Sequence, residues 1–388
     1  METRARRVAA QPNRAKRETK TSFFIKEPMD MTFFILVLVI LAIGLVMMFS
    51  ASFATAYFEE GDSYYYIKRQ LTFALLGCTV MVFTSKINYK YLKMVSWLFY
   101  GGSVVLLILV LLVGTGDGVE KRWLNLGFTT IQPSELAKLA VIILLAYYFS
   151  RNYQYLKKPV KGVLVPFMII GLAAGLVLLE PHLSGAILIL SVGLCMMIVA
   201  GCNFTLLSAT GVVGAIGLYF FSMNTDYMRR RIEIWLHPES DPRGDGYQTL
   251  QSLYAIGSGG LTGLGLGQSR QKYLYIPEPQ NDFVFSIVAE ELGFIGCLII
   301  LALFAVLIYR GFVIAMRSDD KFGSFMVFGI VMRVAVQVLL NVAVVTNAIP
   351  VTGISLPFFS SGGTALVILL FEMGIVLSVS RQSNLTKT

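Results

Sequence analysis

The run "MTFFILVLVILAIGLVMMF", residues 31–49, contains no charged residue. A helix of that length rises about 28 Å, close to the ~30 Å hydrocarbon core of a bilayer. The following "FSASFATA" has the small residues of a signal-peptide cleavage site. The apolar run is nevertheless longer than the usual ~7–15-residue signal core, and further runs follow it. It reads as an uncleaved first membrane helix.

Working outward, comparable apolar runs begin near Met31, Ile67, Met94, Ser134, Gly162, Gly185, Phe204, Phe283, Phe322 and Gly362. The expectation is an all-α integral membrane protein of about ten spanning helices. Composition agrees: 56% of residues are hydrophobic, 14% are charged and mean hydropathy is +0.70, against about 25% charged in a soluble domain. Basic residues gather in alternate segments: Arg4 to Lys26, Lys86 to Lys93, Arg151 to Lys161, Arg310 to Lys321, and the tail. The positive-inside rule then puts both termini in the cytoplasm. Residues 1–30 form a basic cytoplasmic tail, 31–381 the polytopic membrane domain and 382–388 a second tail. The net charge of +9 is accounted for by anionic membrane lipids and calls for no nucleic acid. Cys78, Cys195, Cys202 and Cys297 show neither a disulfide framework nor metal-ligand spacing.

Three external segments hold the remaining unusual residues: "DGVEKRWLNLGFTTIQPSELAK" (117–138), the long loop 224–281, and "NAIPVTGISLPFFSSGGTA" (347–365). A loop of nearly sixty residues far exceeds the ~4–6-residue median and suggests function. Arg229, Arg230 and Arg231 fall on the side where basic residues are scarce. They read either as snorkelling interface anchors or as a site for phosphate charge. "GSGGLTGLGLGQSRQK" (257–272) lacks the Gly-Lys-Ser/Thr of a nucleotide P-loop. It predicts close backbone packing or a re-entrant turn, with Arg270 and Lys272 available to an anion. Glu135 and Lys138 are three apart at a helix start, so they share a face and can pair. At the lipid edge such groups tend to face a cavity and mark function.

"YIPEPQNDFVFSIVAEELGFIGC" (275–297) places Glu278, Asp282, Glu290 and Glu291 at the mouth of an apolar helix. Pro277 and Pro279 predict a helix start near Asn281, with Asp282 in the first turn. Asp282 is then either a dipole-stabilised capping acid or a general base. Glu290 and Glu291 are expected to pair with arginines inside the bundle. Arg333, Gln337 and Asn341 recur every four residues as a polar stripe, and Glu372 is the expected structural partner of Arg333.

The runs "KRWLNLGFTTIQPSELAKL", "GDGYQTLQSLYAIGSGGLTGLGLGQSRQKYLYIPEPQNDFVFSIVAEELGFIG" and "IPVTGISLPFFSSGGTA" resemble the SEDS family (shape, elongation, division and sporulation), the FtsW/RodA/SpoVE group, and most of all its FtsW and SpoVE members. The resemblance implies a glycosyltransferase that polymerises lipid II into glycan strands on the outer face of the bacterial cytoplasmic membrane. It also implies a class B penicillin-binding transpeptidase as partner and other divisome membrane proteins at the septum. The family's essential acid falls on Asp282, which would act as general base, with polyprenyl pyrophosphate leaving. Substrate contacts are expected from Arg122, Trp123, Glu135, Lys138, Arg229, Gln251, Ser252, Arg270, Lys272, Glu278 and Ser360. A divalent cation, Mg or Mn, could assist, although no ligand set for one is visible. The chain departs from the family at Glu180 and His182, where "EPHLSG" replaces the usual Gln-Pro-Asp-Leu-Gly, and at Ser361, which stands where an aromatic is usual. Arg333 and Glu372 are charged where members are commonly neutral. The rival readings are a lipid II flippase, whose binding groups should lie near the midplane between repeats, and a non-catalytic division scaffold.

Overall fold

The computed structural model describes residues 23–25, 27–115, 122–125, 127, 130–180, 182–211, 214, 226–242, 244 and 246–383. The basic tail before residue 23, the C-terminal five residues and most of the seventh apolar run lie outside the described residues.

Eleven α-helices organise the described residues. They are α1 Met31–Glu60, α2 Tyr65–Lys86, α3 Leu92–Val113, α4 Pro133–Asn152, α5 Val165–Leu179, α6 Leu183–Val199, α7 Asp226–Leu236, α8 Tyr247–Gly259, α9 Val284–Met316, α10 Lys321–Val345 and α11 Gly363–Arg381. Among the described residues eight helices are long and apolar enough to cross a membrane, and α6 is a shorter apolar helix. The run from Phe204 is described only as far as Gly211, apart from Gly214. The protein is therefore an all-α, multi-pass membrane protein. Its helices lack a narrow apolar stripe because lipid and protein neighbours are both apolar.

The helices differ in how much lipid they meet. Ala137 to Ala146 of α4 are buried without interruption, because α3, α5, α6 and α10 all pack around that helix. Leu75 of α2 and Leu98 and Leu112 of α3 are exposed, as lipid-facing side chains should be. At the end of the bundle that carries the basic loops, two aspartates cap helices and tie spans together. Asp30 accepts from Phe33 N at the start of α1 and pairs with Arg310 of α9 at 2.8 Å. Asp320 caps α10 through Gly323 N and accepts from Tyr89 Oη and Lys93 Nζ. Burial works to raise the Asp320 pKa, but the lysine, the amide and the phenol together hold it below the ordinary value.

One apolar run proves to be two helical pieces. At Gly293 the backbone of α9 leaves the helical region, with φ 66° and ψ −169°. Residues before the break, Val284 to Glu291, are all buried in protein, whereas Phe294, Ile295, Leu298 and Ile299 after it are exposed. The lipid-facing portion thus starts at Phe294. Backbone groups freed by the break are taken up by the glycine-rich loop that follows α8. Leu264 N and Gly265 N donate to the Glu290 and Glu291 carbonyls at 3.0 Å, and Phe294 N and Ile295 N donate to the Gly260 and Leu261 carbonyls at 2.9 and 3.1 Å. Irregular backbone at the membrane edge requires such internal partners. A Cβ on Gly293 would lie 2.3 Å from Gly263 N, so the two chains approach as the glycine content predicts.

Candidate functional site

A polar cavity of about 370 Å³ opens where α4, α6, the 277–282 segment and the 351–362 connection converge. That volume falls within the range of ligand pockets. Six of the expected site residues meet there: Arg122, Trp123, Glu135, Lys138, Glu278 and Asp282. His182 and Ser361, both family departures, line it as well.

Asp282 is fixed from its backbone side. The helix begins at Val284, so Asp282 precedes the first turn instead of occupying it, and Phe283 stands at the N-cap. Its carbonyl accepts from Asn341 Nδ2 at 2.8 Å, and the same amide donates to the Ile354 carbonyl at 2.7 Å. Asn341, fully buried on α10, therefore stitches the two loop segments that carry the cavity wall. Opposite the carboxylate is Gly353, at φ 68°, where a Cβ would lie 3.2 Å from Asp282 Oδ2. Glu278 also has a positive φ, 45°, a conformation that costs a non-glycine residue roughly 1–2 kcal/mol. Asn281 Nδ2 donates to its carboxylate at 2.6 Å.

Lys138 supplies the cavity with an ammonium. Glu135 Oε1 takes one of its donors at 2.5 Å, while Glu135 Oε2 is held by Arg333 Nη2 at 2.7 Å. Arg333 also pairs with Glu372. The expected Arg333–Glu372 pair is thus one end of a four-residue, charge-balanced chain across α4, α10 and α11, which ends on the cavity at Lys138. Gln337, one turn above Arg333, donates to Ser355 O at 2.9 Å. His182 Nδ1 lies 3.3 Å from Ser134 Oγ. Burial, then the charges of Arg122 and Lys138, push the imidazole down to about 3, so it is neutral at physiological pH. Glu180 is buried with neither carboxyl oxygen hydrogen-bonded among the described residues. Burial pushes it up to about 8 against the pull of Arg122.

Several expected substrate contacts are engaged elsewhere. Lys272 is buried and pairs with Glu291 at 3.0 Å, so its charge is not offered to an anion. Glu291 accepts further bonds from Ser50 Oγ, Gly267 N and Ser269 N, and Glu290 accepts from Ser269 Oγ, Arg270 N and Gln271 N. The expected arginine partners are therefore replaced by one lysine and the amides of the glycine-rich loop. Ser252 shares a hydrogen bond with Ser286 and donates to Val345 O, inside the bundle. Ser360 Oγ accepts from Leu356 N and shapes its own loop. Arg229, Gln251 and Arg270 do not line the cavity; Arg229 and Arg270 point outward and Gln251 is half-buried on α8. Gln132, Ser184 and Gly353 line it without having been anticipated. They come from three distant segments with no common spacing, so only the folded chain brings them together. Among the described residues no group of three or more His, Cys, Asp or Glu side chains is placed to hold a metal ion.

Chemically, the cavity is lined by a carboxylate, an ammonium and a guanidinium, at the end of the bundle opposite the basic loops. Such a set can take a proton from a nucleophile while cations meet an anionic leaving group. Comparison with known proteins places the chain in a family. The model of the FtsW/RodA/SpoVE family, described as cell cycle proteins, matches residues 30–385. Stage V sporulation protein E of Bacillus subtilis is 41% identical over 356 residues, covering 91% of this chain and 97% of that protein. A protein named as a probable peptidoglycan glycosyltransferase FtsW, from Trichlorobacter lovleyi, is 36% identical over 353 residues, covering 90% and 93%. Among solved structures, a chain from a peptidoglycan synthase complex that coordinates polymerization and crosslinking superposes with a TM-score of 0.74 at 30% identity, covering 91% of this chain and 98% of that one. The rod shape determining protein RodA of Thermus thermophilus superposes at 0.67 with 28% identity, covering 92% and 97%. With nearly its whole length matched by the family model, by relatives and by the same fold, this chain belongs to the FtsW/RodA/SpoVE family of cell cycle proteins.

Proposed function

We propose that the chain is a peptidoglycan glycosyltransferase that polymerises lipid II, with Asp282 as general base. The observation that carries this reading is the Asp282 carboxylate sharing one outward cavity with Lys138 and Arg122. Asp282 takes the proton of a sugar hydroxyl on one lipid-linked disaccharide. The oxygen then forms a bond to the anomeric carbon of a second, whose bond to the polyprenyl pyrophosphate breaks with inversion. The electron pair leaves on the pyrophosphate, which Lys138 and Arg122 neutralise. Arg333 serves this step at one remove: by holding the second oxygen of Glu135, it leaves Lys138 with only one acceptor to satisfy there. The relatives named FtsW and stage V sporulation protein E favour a division-type or sporulation setting, and in this reading a class B penicillin-binding transpeptidase is the partner. The synthase complex among the structural neighbours supports that partnership.

The test is glycan polymerisation from purified lipid II in the presence of the transpeptidase. Asp282→Asn should lower the rate by about 10²–10⁴, the usual contribution of a general base. Equal polymer from both proteins would remove Asp282 from the chemistry. No polymer from either, with folded protein and partner, would favour a flippase.

A further inference from the structure

A second cavity of about 270 Å³ lies in the external region under α7. Pro277 and Val351 border it, while Glu278, Gly353 and Ile354 of the same two segments border the cavity of Asp282. Pro277 and Glu278 are adjacent in the chain, so about 3.8 Å of backbone separates the two linings at that point. The cavity has fixed walls. Trp235 Nε1 donates to the Asn347 carbonyl at 3.0 Å, Asn347 Nδ2 returns a bond to the Trp235 carbonyl at 3.3 Å, and Arg231 Nη1 donates to the Val351 carbonyl at 2.6 Å. These bonds pin α7 to the α10–α11 connection.

We propose that this second cavity holds the elongating glycan strand beside the catalytic one, by binding a saccharide that carries an acidic group. Trp235 and Tyr247 supply aromatic surface, Gln248 and Thr249 an amide and a hydroxyl, and Arg230 and Arg231 two guanidinium groups, the second of which also donates to the Val351 carbonyl. Aromatic rings with a polar edge suit a sugar's mixed surface, and guanidinium forks select carboxylate or phosphate. Asp241 lies 3.4 Å from Arg230, at an exposed position, and offsets part of that charge. The assignment rests on the glycosyltransferase reading. A polymerising enzyme that lets go of its product after each coupling makes short chains. Because the two cavities share the 277–278 and 351–354 segments, one strand can lie across both. The acid could come from the strand's peptide stems or from a carrier pyrophosphate; the strand assignment requires the stems.

The test uses the full chain in detergent and three phosphate-containing or phosphate-free probes. They are a lipid-free glycan fragment with intact peptide stems, the same fragment stripped of its peptides, and inorganic pyrophosphate. The intact fragment should bind and quench tryptophan fluorescence. Arg230→Ala, at an exposed position, should weaken that binding at least tenfold, as should Trp235→Phe through a smaller ring. The stripped fragment should bind at least tenfold more weakly, and pyrophosphate should not compete. In polymerisation with the transpeptidase present, Arg230→Ala should shorten the glycan products severalfold while the first coupling of two lipid II molecules proceeds at the wild-type rate. Unchanged fragment binding in both variants overturns the proposal, as does binding of pyrophosphate alone. Loss of the first coupling as well would also overturn it, because the cavity would then be part of the catalytic centre. A wild-type protein that binds the fragment yet makes no polymer would count against the parent reading and leave the binding site standing.

Discussion

Lys272→Met separates a substrate cation from a structural one. The ammonium is almost completely buried and contacts Glu291 Oε1 at 3.0 Å, Gly267 O at 2.6 Å and Ser50 Oγ at 3.1 Å. Methionine fills much of the same space but leaves the Glu291 carboxylate uncompensated. Breaking a buried ion pair from one side costs about 3–5 kcal/mol. Glu291 keeps hydroxyl and amide donors from Ser50, Gly267 and Ser269, so a value near the lower end, about 3 kcal/mol, is expected. That is roughly a hundredfold in the folded-to-unfolded ratio. The assay is thermal unfolding and monodisperse yield in detergent, with lipid II polymerisation normalised to folded protein. Stability and yield should fall while turnover per folded molecule stays near wild type. The double variant Lys272→Met/Glu291→Gln, with both charges removed, should recover most of the loss. A Lys272→Met protein of normal stability but without polymerisation would refute the reasoning and return Lys272 to the substrate. Normal stability and normal activity together would make the pair inert.

Two further outcomes concern the cavity and the turn beside it. Gly353→Ala should lower turnover at least tenfold, because its Cβ crowds Asp282 Oδ2 at 3.2 Å; its left-handed backbone adds about 1–2 kcal/mol of strain, which thermal unfolding reads separately. Glu180 is raised from 4.5 to about 8 in the fold, so the folded state binds the proton more tightly than the unfolded chain. Its contribution is fully present below pH 4.5 and is lost as pH rises through 8, on the order of 5 kcal/mol at most. Melting profiles across this window should show a decline that Glu180→Gln flattens; an unchanged profile would mean that the carboxyl is already ionised in the fold.

The spans were legible because lipid dictates both length and composition, and every described span begins within three residues of its expected place. Asp282 stood out for a local reason: prolines end the preceding segment and an apolar helix follows. Lys272 and Arg122 were indistinguishable in sequence, both basic and both external. Only burial and the partner nineteen residues on at Glu291 consume the first, while Arg122 reaches the cavity. The break at Gly293 was hidden for a related reason. Glycine is ordinary within membrane helices, and nothing in a hydropathy pattern reports φ. The Arg333–Glu372 pair could be guessed from complementary charge at similar depth. Its continuation to Glu135 and Lys138 depends on α4 running through the centre of the bundle.

The joint between the glycine-rich loop and α9 has a bearing on how the sequence can drift. Its four stitches run from backbone to backbone, so they are blind to the side chains of Leu261, Leu264 and Leu266, which are exposed. Gly263 and Gly293 are another matter, because each has a positive φ and stands against the other's strand with no room for a methyl group. Descendants of this protein can therefore rewrite the loop's outer surface freely while these two positions stay frozen. The divergence that adapts an outer surface to new surroundings can then accumulate next to a joint that admits almost none.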